Sequence, residues 1–225
     1  MTPETYRFRD RREAGIALAG QLQRFAHSDD TVILARPRGG VPVAYEVAMA
    51  LAVPLDVFVV RKLGMPDQHE FAMGAIASGG VRVMNKEALT WHRPPANVIE
   101  AIARTEQREL QRRERLYRGD RPLAPVEGHT VILVDDGLAT GSTMEAAVTA
   151  VRRLRPARVV VAVPVGARES CRALRRIADD VVCVLTPEPF SAVGLWYVDF
   201  TQTTDDEVRE LLSRRRWNLI RRRSA

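Results

Sequence analysis

Lysine is nearly absent from this chain: of its 34 basic residues only Lys62 and Lys86 are lysines, and the rest are arginines. Cysteine is confined to Cys171 and Cys183, both in apolar helix-like or strand-like surroundings; they suit a reducing compartment and read as core or near-core residues. Four scattered histidines form no zinc-type ligand cluster. Nowhere is there an apolar run long enough to span a bilayer, and MTPETYRFRDRRE lacks the apolar centre of a signal peptide. A cytoplasmic protein with no membrane contact is expected.

The net charge of +6 suggests nucleic acid until it is located. Residues 209 to 225, RELLSRRRWNLIRRRSA, contain seven Arg and one Glu, so all the excess lies there and the remainder sums to zero. That tail could grip phosphate backbones, or be a solvated terminal helix.

Apolar spacing over Asp10 to Ala26 predicts a helix capped by Asp10. TVILA (31–35) and LDVFVV (55–60) are strands around a helix at 41–52, a βαβ unit whose strands should be parallel. The first half of 61–80 reads as a loop free to move, before strands at MGAIAS and VRVM (81–84). A long exposed helix is expected from Asn97 to Arg118. Strands at 131–134, 158–165 and 181–185 then alternate with helices. The fold class is α/β, a doubly wound parallel sheet flanked by helices with a small hood. The chain reads as one domain over 1–225, with its core at about 10–85 and 128–185 and a hood or appendage at about 86–127 and 186–225.

Chemistry concentrates at two strand ends. In VILVDDGLATGST (131–143), Asp135 and Asp136 follow a buried strand, where open α/β sheets bind ligands. Ala139, Thr140, Gly141, Ser142 and Thr143 then lead into a helix, whose unpaired N–H groups and dipole suit a phosphate. An N-capped helix after an Asp-Gly turn is the plainer alternative. In RPRGG (36–40), Arg36 and Arg38 supply charge-assisted donors, and Gly39 and Gly40 let backbone approach a ligand. Two anion loops beside a carboxylate pair fit a ligand with phosphorus at both ends and a sugar between.

At these residues the sequence resembles the type I phosphoribosyltransferases. VILVDDGLATGST is similar to their phosphoribosyl-pyrophosphate motif, departing at Gly137, where an apolar residue is usual and where a more flexible loop entry is expected. RPRGG resembles their pyrophosphate loop, with a non-proline cis peptide implied at Pro37-Arg38. The resemblance implies a Mg²⁺-dependent transferase of the phosphoribosyl group of phosphoribosyl pyrophosphate to a nitrogenous, nucleobase-like acceptor. Asp135 and Asp136 would hold the ribose hydroxyls, directly or through Mg²⁺; 139–143 would hold the 5′-phosphate; Arg36, Arg38, Gly39 and Gly40 would hold pyrophosphate. Arg61 and Lys62 resemble the catalytic loop of orotate phosphoribosyltransferases, the alternative being a solvated strand end; Glu70 is an acid/base candidate or a surface charge. Aromatics cluster in PEPFSAVGLWYVDF (187–200), where Phe190, Trp196 or Tyr197 could stack on an acceptor or fix the segment to the core. Ala139 stands where the 6-oxopurine enzymes place an acid, which argues against their mechanism. A homodimer is expected. The competing functions are a sensor of phosphoribosyl pyrophosphate that binds RNA or DNA through the Arg tail, and a structural or partner-binding protein.

Overall fold

The computed structural model describes the backbone of residues 6–65, 68–92 and 94–223, with side chains at 68–71, 86–88 and 215–223 outside the described set. In chain order the elements are α1 (Arg11–Gln21), β1 (Thr31–Ala35), α2 (Gly40–Leu51), β2 (Leu55–Val57), β3 (Val60–Met65), β4 (Gln68–Ala77), β5 (Val81–Met84), α3 (Lys86–His92), α4 (Ala96–Arg118), β6 (Thr130–Val134), α5 (Ser142–Arg153), β7 (Arg158–Val165), α6 (Arg168–Leu174), β8 (Asp180–Leu185) and α7 (Asp205–Arg223). Asp10 caps α1 as expected, its Oδ1 accepting from Glu13 N at 2.8 Å.

Five strands form a parallel sheet in the order β2-β1-β6-β7-β8. Alternate residues of each strand feed two different cores, which is why the strands read as unbroken apolar runs. Ile33, Ala35, Ile132 and Val134 join one core with Leu18 of α1 and Val47 of α2. Val32, Leu34, Val131 and Leu133 join the other with Val148 of α5 and Leu174 of α6. Helices therefore cover both faces, and the loops leaving β1, β6 and β7 share the carboxyl edge.

The segment expected to be a mobile loop is instead paired. β3, β4 and β5 form a separate antiparallel sheet, with Arg61 opposite Ile76, Lys62 opposite Ala75 and Ala75 opposite Val83. The strand read at 55–60 is correspondingly split, β2 ending at Val57 and β3 starting at Val60. Gly74 allows this pairing: a Cβ there would lie 2.3 Å from Val83 O. Cys171 of α6 and Cys183 of β8 pair with each other, Cys171 inside the second core and Cys183 against it, as near-core residues. The Arg-rich tail continues α7, which is anchored by Val208 and Leu212 against the core shared with α2 and α4. No helix among the described residues is long and apolar enough to cross a membrane.

Candidate functional site

Asp135 and Asp136 leave β6 in the middle of the carboxyl edge, and the 36–40 loop leaves the adjacent β1 directly against them. Arg36 N donates to Val134 O at 2.9 Å, extending the β1–β6 pairing into the loop. A Cβ on Gly40 would lie 2.8 Å from Val134 O and 2.9 Å from Asp135 Cα, so only glycine lets α2 begin this close to the acid pair. The Pro37-Arg38 peptide is cis, as the resemblance implied.

Each acid has an arginine. Arg36 Nη1 bonds Asp135 Oδ2. Arg11, at the start of α1, donates from Nε to Asp136 Oδ2 at 2.9 Å, and its Nη2 forms an ion pair with the same oxygen at 2.9 Å. The cluster is neutral in sum, so the like-charge repulsion that a ligand was expected to relieve is already opposed within the protein. Burial pushes the Asp135 carboxyl up to about 7, with Arg36 opposing the shift and the neighbouring Asp136 charge adding to it.

The 139–143 loop sits at the start of α5. Gly141, at φ 76°, turns the chain into the helix, whose first internal bond runs from Glu145 N to Gly141 O. Ala139 and Thr140 are exposed, and Thr140 Oγ1 lies 3.3 Å from Ser142 Oγ. Lys62 on β3 reaches across to donate to Ser142 Oγ at 2.7 Å, so this lysine meets the loop from the second sheet. Its neighbour does not. Strand alternation turns Arg61 the other way, where its Nε donates to Glu106 of α4 at 2.6 Å. Arg38 points to α7, 3.9 Å from Asp205. The Glu70 side chain lies outside the described residues.

Gly137 has a packing reason. A Cβ there would lie 2.5 Å from Val193 Cγ1 and 3.1 Å from Val165 O, so the glycine admits the hood rather than loosening the loop. The three hood aromatics divide. Tyr197 is 3% exposed, packed between Phe8 and Phe200, and its hydroxyl donates to Asp136 O at 2.6 Å; it offers no face for stacking. Phe190 and Trp196 stack on each other with ring centroids 6.4 Å apart. Phe190 also borders a cavity of about 420 Å³ beside Ala139 and Thr140, with Glu169, Ser170 and Ser191 as its other polar lining. Ser170 Oγ donates to Ala139 O, tying α6 to the 139–143 loop.

Sequence reasoning missed Arg11, the anchoring hydroxyl of Tyr197, and Ser170. Arg11 and Asp136 are 125 residues apart, so no local pattern could pair them.

The parallel α/β sheet thus carries two glycine-bearing loops and an acid pair on one carboxyl edge, the edge at which open α/β sheets bind their ligands. The model of the phosphoribosyl transferase domain matches residues 10–198, and the chain belongs to that family. It is 46% identical over 207 residues to the putative phosphoribosyl transferases Rv0571c and MT0597 of two Mycobacterium tuberculosis strains. The match covers 92% of this chain and 46% of each relative, so the chain spans about half their length. The crystal structure of TT1426 from Thermus thermophilus is similar at 45% identity and a TM-score of 0.82, covering 92% of this chain and 97% of that one.

Proposed function

We propose that the protein transfers the 5-phosphoribosyl group of phosphoribosyl pyrophosphate to a nitrogen of a heterocyclic acceptor, releasing pyrophosphate, and that residues 1–225 act as one domain in doing so. The observation that carries this reading is the contact of the 36–40 loop with the Asp135–Asp136 turn, flanked by the 139–143 loop: two anion sites set on either side of two carboxylates.

The 5′-phosphate sits on the N–H groups of 140–143, with the hydroxyls of Thr140, Ser142 and Thr143 and the ammonium of Lys62 around it. Asp135 and Asp136 take the ribose hydroxyls. Arg36, Arg38 and the backbone of Gly39 and Gly40 take the pyrophosphate. As the acceptor nitrogen bonds to the anomeric carbon, the bond to pyrophosphate breaks and its electron pair leaves with the pyrophosphate oxygen. Negative charge therefore develops over the 36–40 loop, where stabilisation lowers the barrier; Arg36 stands there on Asp135, and Arg38 would turn to it from Asp205 of α7. Arg61, held by Glu106, supports the β3–α4 contact rather than the reacting atoms.

Mg²⁺ fits this donor set only together with substrate. No three potential ligands cluster among the described residues, but Mg²⁺ commonly binds through one or two carboxylates plus substrate oxygens. Asp135 and Asp136 would hold it, and it would add positive charge beside the leaving pyrophosphate.

The cavity beside Thr140 supports a nitrogenous acceptor. Its lining includes a carboxylate, Glu169, and the ring of Phe190, and no cation. Such a site favours a flat ring that donates N–H groups over an acceptor bearing its own carboxylate.

The test is to incubate the protein with phosphoribosyl pyrophosphate, Mg²⁺ and a pool of nucleobases and to follow pyrophosphate and nucleotide by mass spectrometry. A new nucleotide formed in step with pyrophosphate is expected. Tight binding without turnover would favour the sensor instead, and no binding would remove both.

A further inference from the structure

Arg11 is engaged on every side of its guanidinium. Nε and Nη2 converge on Asp136 Oδ2, each at 2.9 Å, and Nη1 donates to Thr201 O at 2.7 Å. One face of the group lies over the Phe200 ring, 4.0 Å from its centroid. The side chain is 11% exposed, and the carboxylate it holds is 17% exposed. Gly39 closes over the pair, since a Cβ there would lie 3.2 Å from Arg11 Nε. The base of the arginine is fixed as well, because it follows the Asp10 cap at the first position of α1.

This arrangement occupies one oxygen of Asp136 and leaves Oδ1 with no partner among the described residues. The backbone of the same residue is held separately, by the Tyr197 hydroxyl on its carbonyl and by Asp135 Oδ1 on its N–H. A carboxylate pinned through one oxygen has a single orientation in which to present the other. The pinning group also touches residues 200 and 201, so the orientation depends on that part of the hood being seated.

We propose that Arg11 is a positioning residue for Asp136: it anchors Oδ2 so that Oδ1 meets the ribose hydroxyls, and it couples that geometry to the seating of residues 200 and 201. The inference rests on the proposed function, in which Asp136 binds the sugar. Arginine is required for its shape. Lysine would restore a charge near Asp136 but cannot hold Oδ2 from two nitrogens, reach Thr201 O and lie flat on Phe200 at once.

Calorimetric titration with phosphoribosyl pyrophosphate and Mg²⁺ tests this on Arg11→Gln, Arg11→Lys, Asp136→Asn and the Arg11→Gln/Asp136→Asn double variant, each shown to be folded by its thermal transition. Arg11→Gln should weaken binding by about tenfold or more, with Arg11→Lys recovering only part of the loss. In the Asp136→Asn background Arg11→Gln should add little, because the group it positions is already altered. Inorganic pyrophosphate without metal has no sugar hydroxyls, and it should bind wild type and Arg11→Gln alike. Unchanged sugar-phosphate binding in Arg11→Gln, an equal loss in both backgrounds, or a parallel loss of pyrophosphate binding would overturn the proposal. Wild-type affinity in Asp136→Asn would instead show that the proposed sugar site is wrong, and the inference would fall with it.

Discussion

Gly39 lies so close to Asp136 that a methyl group on it would sit 2.0 Å from the carboxylate Oδ2. Its backbone is at φ −58° and ψ −32°, a conformation that alanine adopts freely. The glycine is therefore required for space alone. Gly39→Ala should force the 36–40 loop and the acid pair apart, costing about 1–3 kcal/mol of stability and most of the affinity for phosphoribosyl pyrophosphate. Gly20 in α1 is the control, because a Cβ there meets nothing within 4 Å; Gly20→Ala should raise the Tm slightly. Equal, small effects from the two substitutions would show that the loop does not depend on this contact.

The two ion pairs alter what neutralising the acids should do. If Asp135 and Asp136 merely repelled each other, Asp135→Asn with Asp136→Asn would leave stability unchanged or improve it. Arg36 and Arg11 would instead lose their carboxylates at part-buried positions. The double variant should lose about 1–3 kcal/mol of stability as well as at least about 2 kcal/mol of affinity for Mg²⁺ and phosphoribosyl pyrophosphate. Chemical denaturation beside calorimetry measures both. Full ligand affinity in a protein that melts much earlier would make the pair a structural cap.

Tyr117 joins α4 to α7 by donating to Asp205 Oδ1 at 2.6 Å. Burial pushes its phenol up to about 12 from an ordinary value of 10.0, and the hydrogen bond to Asp205 adds to the shift. The folded protein thus keeps a proton that the unfolded chain releases first. Its contribution to stability is complete below the unfolded value and is lost as pH rises through the folded one. Tyr117→Phe should cost about 1 kcal/mol near neutrality and make the fall of Tm between pH about 10 and about 12 shallower than in wild type. An unchanged alkaline slope would mean that the phenol is not protected.

How much was legible in the sequence depended on how local the cause was. The parallel strands could be read because every residue of 32–35 and 131–134 enters one core or the other, leaving an apolar run without gaps. The β3–β4 hairpin could not. Arg61, Lys62 and Gly64 interrupt β3, and that strand places Lys62 against the 139–143 loop and Arg61 against α4, so both its faces carry charge. The 36–40 and 139–143 loops and the acid pair could be picked out as short runs, while the group that holds Asp136 comes from the far end of the chain. Tyr197 looked like a stacking residue because its composition is aromatic; its burial between Phe8 and Phe200 is a tertiary fact.

Gly137 is where sequence and structure give opposite explanations for one residue. Read alone, a glycine after two acids suggests a flexible entry to the 139–143 loop. In the fold its α-carbon faces Val193 of the hood, and a Cβ would lie 2.5 Å from Val193 Cγ1 and 2.9 Å from Cγ2. The φ at Gly137 is not in the left-handed region, so alanine is excluded by the neighbour rather than by the backbone. Gly137→Ala should therefore push residues 193–196 outward, lowering stability by about 1–3 kcal/mol and disturbing the Phe190–Trp196 stack that flanks the cavity beside Thr140. The collision with the valine side chain is removed by shortening it. Val193→Ala in the Gly137→Ala background should restore much of the Tm and the Trp fluorescence spectrum, although alone it costs stability by leaving a void. The remaining contact with Val165 O, at 3.1 Å, limits the rescue to a partial one. If flexibility were the purpose of Gly137, shortening Val193 would rescue nothing, and the two substitutions would simply add.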